Sequence, residues 1–257
     1  MSVALHHEIT GPSQAPVLLL GGSLGTSLRM WDPQIRRLSR RWRVVTFDLR
    51  GHGRSPTADV PVLVSDLADD VEALADSLRV RSFGYCGLSL GGAIGQMLAA
   101  NRPERVRALV LCCTSARFGD PAGWRERARR VRQNGTGWLT EPTRQRWFTP
   151  GFLRRERATA DRLVAMVRAT SIEGYAACCD ALAEFDSRPV LHTIRSPTLV
   201  IAGADDRATP VAMAQELTAG ITAAELAVVP DAAHLATVER SDRVTDMIAA
   251  HLERHLR

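Results

Sequence analysis

The chain has 257 residues, of which 45% are hydrophobic and 24% charged, a composition that excludes long disorder and suits one α/β domain with an insertion. The net charge is +5, all basic residues other than histidine are arginine, and no apolar run approaches the roughly 20 residues of a transmembrane helix. The first ten residues also lack the basic and apolar regions of a signal peptide, so we expect a cytoplasmic protein without membrane contact.

Six short apolar runs indicate β-strands covered on both faces, because apolar and polar residues do not alternate strictly within them. In chain order they are residues 16–20, 43–47, 81–86, 106–112, 197–202 and 225–229. Helical periodicity separates them at 66–78, with Ser65 as the expected N-cap, at 90–100, and from residue 241 onward. This order predicts an α/β fold with a mainly parallel sheet flanked by helices, and sites at the carboxyl ends of the strands.

The alternation of strand and helix stops after Cys112 and resumes near Pro197. The interval contains arginine-rich helical stretches interrupted by Gly, Trp and Pro. We interpret it as a helical lid inserted into a single domain. The prediction is a core made of residues 1–116 and 196–257, with the lid at 117–195.

Positive charge is concentrated in the first part of this lid. Residues 117–162 contain twelve arginines and five acidic residues, a net charge of +7, which leaves −2 for the rest of the chain. A solvent-exposed helix face and a surface that attracts an anionic small molecule both fit this pattern. Nucleic acid is not expected as a partner, because zinc-finger, helix-turn-helix and RNP motifs are absent and aromatic residues are few.

The five cysteines indicate free, mostly buried thiols. Their number is odd, two pairs are adjacent in sequence, and no C-x-x-C spacing occurs. We therefore expect neither a disulfide framework nor a zinc site. The cysteines are Cys86, Cys112, Cys113, Cys178 and Cys179.

The stretch GLSLGG at residues 87–92 places a serine between a predicted strand and a predicted helix. On such a tight turn the serine adopts strained backbone angles, and only small residues two positions before and after it let the chains pass. Gly87 and Gly91 occupy those positions. The helix N-terminus then points its N–H groups at the serine, where they can stabilise an oxyanion. The pattern predicts Ser89 as a nucleophile, with a purely structural turn serine as the alternative.

A nucleophilic serine needs a histidine as base and a carboxylate that holds the histidine tautomer. In folds with this turn they follow the serine in the order acid, histidine. Asp205 and Asp206 follow the fifth predicted strand, and His234 follows the sixth. A position four residues before Pro210 favours Asp206 as the acid, and Asp205 is then a loop or solvated residue. We interpret His52 as structural, because it precedes the serine.

A second oxyanion donor is expected in the loop after the first strand, which reads GGSLG at residues 21–25. The backbone N–H of Ser23 can join that of Leu90 there. A phosphate-binding loop is excluded, because the G-x-x-x-x-G-K-[ST] pattern is absent and the chain contains no lysine.

Seven stretches carry a family resemblance over nearly the whole length of the chain. They are SLGTSLRMWDPQ (23–34), DLRGHGRS (48–55), GLSLGGAIGQ (87–96), RWFTPGF (146–152), EGYAACCDAL (173–182), IAGADDRATP (201–210) and AAHLATVE (232–239). With them the chain resembles the α/β-hydrolase superfamily and, more narrowly, the 3-oxoadipate enol-lactonases of the β-ketoadipate pathway. It departs from that family at residues 21–22, which are Gly-Gly where Ser-Asn is usual.

The resemblance implies ring opening of an anionic enol-lactone through an acyl-enzyme, with Ser89, His234 and Asp206 as the triad and with no metal or organic cofactor. A positively charged lid can attract the free carboxylate of that substrate. By position in RWFTPGF, Arg146 or Trp147 is expected at the pocket, although an outward-facing Arg146 fits the pattern as well. A general carboxylesterase, a C–C bond hydrolase and a ligand receptor of the same fold are the alternatives.

Overall fold

The fold is organised around a seven-stranded β-sheet, in a computed structural model that describes residues 2–57 and 62–256. The strand order is β1-β3-β2-β4-β5-β6-β7. The pair β1–β3 is antiparallel, and every other pair is parallel. The strands are β1 (His7–Thr10), β2 (Val17–Gly21), β3 (Arg43–Phe47), β4 (Phe83–Leu88), β5 (Val106–Cys112), β6 (Thr198–Gly203) and β7 (Ala224–Val229).

The α/β fold and the six predicted strands are confirmed, and each strand lies within two residues of its predicted start. Their apolar runs are continuous because both faces of the sheet are covered, so that Leu18, Leu19 and Leu20 of β2 are all fully buried. The strand β1 was not predicted. It is an edge strand whose residues are half-buried or exposed, and its sequence HEIT contains no apolar run.

Helices pack on both sides of the sheet or lie beyond its edges. In the part of the chain that the structure describes, they are α1 (Asp32–Leu38), α2 (Val64–Ser77), α3 (Leu90–Asn101), α4 (Pro121–Asn134), α5 (Thr140–Trp147), α6 (Pro150–Arg155), α7 (Arg157–Ala169), α8 (Ile172–Glu184), α9 (Val211–Gly220), α10 (Ala236–Glu239) and α11 (Ser241–His255). Among these same residues, no helix combines the length and the apolar character that crossing a membrane requires.

Two neighbouring residues of β4 show how the sheet separates its helices. A Cβ added at Gly84 would lie 2.5 Å from a methyl of Leu256, just beyond the end of α11. A Cβ added at Gly95 of α3 would lie 2.8 Å from the ring of Tyr85. Because successive strand residues point to opposite faces, α11 and α3 cover opposite sides of the sheet.

The expected N-cap of α2 is wrong. The helix begins at Val64, one residue before Ser65, and Leu63 is the N-cap. The Leu63 N–H donates to the Asp66 carboxylate at 2.8 Å, so the carboxylate stabilises this end of the helix instead of a serine hydroxyl.

All five helices α4 to α8 lie between β5 and β6, within residues 117–195, which we name the helical segment. Within it, α4 packs against α8, and α5 packs against α7. The parallel strands β4, β6 and β7 end on one edge of the sheet, and the helical segment contributes side chains above that edge. The fold therefore brings the loops that follow these strands into the same region as the segment.

Candidate active site

Ser89 lies in the turn between β4 and α3, with φ 57° and ψ −114°, a conformation that residues other than glycine rarely adopt. A Cβ at Gly87 would lie 2.1 Å from the Gly91 carbonyl oxygen, and one at Gly91 would lie 2.3 Å from the Gly21 carbonyl oxygen. The Ser89 N–H donates to the Cys112 carbonyl at 3.0 Å, which ties the turn to β5. Gly87 and Gly91 are thus required at this turn, because a side chain at either position would overlap backbone atoms.

Gly91→Ala is expected to lower the free energy of unfolding by about 2–3 kcal/mol, since the new methyl group would overlap backbone atoms that cannot move away easily. Gly137→Ala is the matched control. Gly137 is exposed, and nothing lies within 4 Å of an added Cβ, so its effect should stay below about 0.5 kcal/mol. Urea unfolding of both variants measures the difference. Equal midpoints for the two would contradict this account of the turn.

His234 and Asp206 form a buried pair in the loops after β7 and β6. His234 Nδ1 lies 2.9 Å from Asp206 Oδ2, and both residues are 4% exposed. The other oxygen, Oδ1, accepts the N–H groups of Ala208 and Thr209, and the Thr209 hydroxyl donates to Oδ2. Burial raises the pKa of Asp206, but the charge of His234 and the hydrogen bonds from His234 and Thr209 outweigh burial, so the pKa is lowered. An ionised carboxylate at Nδ1 leaves Nε2 as the proton acceptor.

The structure brings only one of the two competing acids to the histidine. Asp205 is exposed, and its backbone N–H donates to the Ala232 carbonyl at 2.9 Å. Asp206 is turned inward by the bonds from Ala208 and Thr209, which form a small turn around its carboxylate. The geometry therefore favours Asp206 over Asp205 as the partner of the imidazole.

Ser89 and His234 line the same cavity, which has a volume of about 180 Å³. Ser23 and Leu24, from the loop after β2, form another part of its wall. This volume is below the ~300–1,000 Å³ of pockets that bind drug-sized ligands, so the cavity suits a smaller molecule.

The predicted oxyanion donors differ in their hydrogen bonds. Leu90 is the first residue of α3, where an N–H has no acceptor within the helix. The Ser23 N–H donates to Met30 Sδ at 3.2 Å, and a thioether sulfur is a weak acceptor. The sequence did not suggest this contact. The adjacent residue Leu24 also lines the cavity.

His52 has the structural position that its order in the chain indicated. Its Nε2 accepts the Gly25 N–H at 3.0 Å, and its Nδ1 lies 3.0 Å from the Arg50 carbonyl oxygen. Burial lowers the pKa of His52, which keeps the ring neutral and able to accept that bond. The ring thus holds the glycine loop that carries Ser23.

The helical segment forms the remaining wall of the cavity. Arg146 and Trp147 of α5 both line it, so Arg146 faces inward. Sequence reasoning missed Trp124, Arg127 and Tyr175, which line it as well. Arg127 belongs to the run RERARR, in which composition does not distinguish the one inward-facing arginine from its neighbours.

Glu239 connects the histidine loop to α5. It is 8% exposed, and its Oε1 accepts the Ala233 N–H at 2.7 Å. Its Oε2 accepts the N–H and the hydroxyl of Thr149 at 3.0 and 2.7 Å. In addition, the Leu235 N–H donates to the Trp147 carbonyl at 3.0 Å. The residues on either side of His234 are therefore fixed to the end of α5.

Two further sequence expectations concern thiols and metals. All five cysteines are buried and free, as predicted. Within residues 2–57 and 62–256, no group of three or more His, Cys, Asp or Glu side chains is arranged to hold a metal ion.

Comparisons with known proteins give consistent results. The family model for the alpha/beta hydrolase fold matches residues 15–241. The chain is 39% identical to 3-oxoadipate enol-lactonase 2 of Acinetobacter baylyi, over 98% of this chain and 94% of that protein. The crystal structure of the enol-lactonase from Burkholderia xenovorans LB400 is 37% identical with a TM-score of 0.95, covering 97% and 96% of the two chains. A thermophilic esterase from Thermogutta terrifontis, solved with malate bound, is 30% identical with a TM-score of 0.93, covering 98% and 94%.

Proposed function

Because the chain belongs to the α/β-hydrolase family, we propose that it hydrolyses 3-oxoadipate enol-lactone to 3-oxoadipate with Ser89 as nucleophile, His234 as base and Asp206 as the orienting acid. One observation carries the proposal: a serine on a strained turn shares a small cavity with a histidine that is hydrogen-bonded to a buried carboxylate. The enol-lactonases that are 37–39% identical to the chain support the choice of substrate.

In the first half-reaction, His234 Nε2 removes the Ser89 proton while Oγ attacks the lactone carbonyl. The Leu90 N–H stabilises the oxyanion together with an N–H of the glycine loop. That second donor is the backbone N–H of Ser23, which would exchange its weak bond to the Met30 sulfur for one to the oxyanion. The backbone N–H of Leu24, the next residue of the loop, is the alternative donor.

Collapse of the tetrahedral intermediate breaks the ring C–O bond and expels an enolate, whose charge is delocalised. His234 returns the proton to it, and the enol relaxes to the ketone. A water molecule, deprotonated by the same imidazole, then attacks the acyl-enzyme and releases Ser89 and a second carboxylate. Each half-reaction takes one proton from the attacking oxygen and gives it to the leaving oxygen. We propose no metal or organic cofactor for these steps.

The helical segment acts, in this proposal, as a lid that selects an anionic substrate. Support comes from Arg146 and Trp147, which it places in the wall of the cavity. The esterase from Thermogutta terrifontis was solved with malate bound, which is an anionic ligand with two carboxylates. A cytoplasmic location is supported by the five free thiols, which are typical of a reducing compartment.

The test is a direct assay with freshly generated enol-lactone, followed by the loss of its ultraviolet absorbance, beside a neutral p-nitrophenyl ester. We expect kcat/KM for the lactone to exceed that for the ester by on the order of 10²-fold or more, since only the lactone carries a carboxylate. Preference for the neutral ester would instead favour a general carboxylesterase, a class that the similarity to an esterase keeps open.

A further inference from the structure

We propose that Arg127 and Arg146 together form a carboxylate-binding subsite beside Ser89, and that short dicarboxylates therefore inhibit the enzyme competitively. This inference rests on the proposed hydrolase function of the same cavity and adds Arg127 to it. Both guanidinium groups belong to residues of the cavity wall, from α4 and α5 respectively.

Among the described residues, several other arginines of the helical segment are ion-paired whereas Arg127 and Arg146 are not; further unpaired arginines of the segment, such as Arg130 on the ring of Trp138, do not line the cavity. Neither Arg127 nor Arg146 has a salt bridge to an acidic side chain among the residues that the structure describes. Four neighbours are paired outside the cavity: Arg125 with Glu184, Arg129 with Glu126, Arg132 with Glu173 and Asp180, and Arg144 with Asp161. Three of these acids come after residue 162, so the net +7 counted over residues 117–162 overstates the charge of the segment's outer face.

The aromatic residues of the cavity hold Arg127 in place. Its guanidinium carbon lies 4.6 Å from the centroid of the Trp124 ring, within the range of a cation–π contact. Burial raises the pKa of the Tyr175 hydroxyl, while the charges of Arg127 and Arg146 and a hydrogen bond with Arg127 act in the opposite direction. Tyr175 lines the same cavity as both arginines.

Three arginines line this cavity: Arg127 and Arg146 are half-buried, whereas Arg207, in the loop after β6, is exposed. Burial lowers the pKa of Arg146, and the positive charge of Arg127 lowers it further. Tyr175 and Asp206 counteract this effect, but the Asp206 oxygens are already engaged by His234, Ala208 and Thr209. Arginine stays protonated in proteins, so the mutual repulsion persists until an anion enters. Binding of an anion between the guanidinium groups would relieve it.

The shape of the cavity restricts which anion fits. Guanidinium groups match the two oxygens of a carboxylate, and their hydrogen bonds to it are charge-assisted. Ser89 lies in the same cavity of about 180 Å³. A ligand that reaches both the nucleophile and the arginines is thus a short chain with an acyl carbon at one end and a carboxylate at the other. Its hydrolysis product is a dicarboxylate, which would occupy the same subsite.

The test compares Arg127→Gln and Arg146→Gln with the control Arg129→Gln. Arg129 lies on the same helix as Arg127, α4, but its guanidinium group is exposed and paired with Glu126. The substrates are the mono-p-nitrophenyl ester of succinic acid and p-nitrophenyl acetate, and succinate is the inhibitor. In both cavity variants we expect the ratio of kcat/KM for the anionic over the neutral ester to fall by on the order of 10²-fold. The succinate Ki should rise by at least about tenfold. Arg129→Gln should keep both values.

The outcomes separate the two proposals. If Arg127→Gln matches Arg129→Gln in both ester preference and succinate Ki, the subsite is wrong, whatever the enzyme does to the lactone. The wild-type protein could fail to open the enol-lactone while Arg127→Gln still loses the preference for the anionic ester. In that case the substrate assignment is wrong and the subsite stands. Urea unfolding of each variant identifies any loss of activity that comes from misfolding.

Discussion

Ser89→Ala is expected to lower kcat for the enol-lactone by on the order of 10⁴-fold or more, while the protein stays folded. The substitution removes only the hydroxyl oxygen. The turn is held by backbone bonds that alanine retains: the Ser89 N–H donates to Cys112, and the Ser89 carbonyl accepts the Ala93 N–H and the Thr114 hydroxyl. The residual rate would come from the oxyanion donors and from substrate binding, which alanine leaves in place.

Two measurements separate loss of the nucleophile from loss of the fold. Electrospray mass spectrometry of the quenched reaction should detect an acyl adduct on the wild-type protein and none on Ser89→Ala. Ser82→Ala serves as the control, because Ser82 is an exposed serine before β4, and it should react as the wild type does. If Ser89→Ala retained a tenth of the wild-type kcat, the account of Ser89 as the attacking group would have to be abandoned.

The turn connects the fold to the chemistry. The sheet places β2 beside β4, which brings the glycine loop against the start of α3, and the Gly91 N–H donates to the Gly22 carbonyl at 3.0 Å. The contact between Gly91 and Gly21 therefore brings Ser89 and the loop of Ser23 to the same point. Residues that weaken a strand or a helix elsewhere are needed here because only they allow this close approach.

The sequence was most informative where one physical cause dominates. Burial on both faces produced the apolar runs of the parallel strands, and the close approach of chains required Gly87 and Gly91. It was least informative where the cause lies in tertiary contacts. The edge strand β1 (His7–Thr10) is stabilised by pairing with β3 and has no pattern of its own. The N-terminus of α2 is stabilised by the carboxylate of Asp66, which accepts the Leu63 N–H, and not by the hydroxyl of Ser65 that the sequence favoured.

The sequence also did not predict which charged residues pair with each other. Counting charges along residues 117–162 located a cationic region, but pairing with acids later in the chain decides which arginines stay uncompensated. Arg127 differs from Arg125 and Arg129 only in the direction in which α4 points it. Similarly, the sequence assigned no role to Glu239 at the end of AAHLATVE, because its partners Ala233 and Thr149 come together only in the fold.

The second large effect is expected for the acid. Asp206→Asn should lower kcat by on the order of 10⁴-fold, whereas Asp205→Asn should change it by less than about threefold. In the wild type, Asp206 Oδ2 lies 2.9 Å from His234 Nδ1 and so fixes the proton on that nitrogen. An amide NH₂ at the same place would donate to Nδ1, and the proton would move to Nε2. The imidazole could then no longer accept a proton from Ser89.

The Asp206→Asn variant should still fold. Its amide oxygen can keep the bonds from the Ala208 and Thr209 N–H groups, and the Thr209 hydroxyl, which now donates to Oδ2, can rotate and accept from the new amide. Kinetic assays of both variants, with urea unfolding to compare stabilities, provide the test. Because Asp205 is exposed and Asp206 is 4% exposed, the two asparagine variants are chemically matched and differ in environment. Loss of activity in Asp205→Asn with retention in Asp206→Asn would mean that the acid has been misassigned and that the observed pair with His234 is only structural.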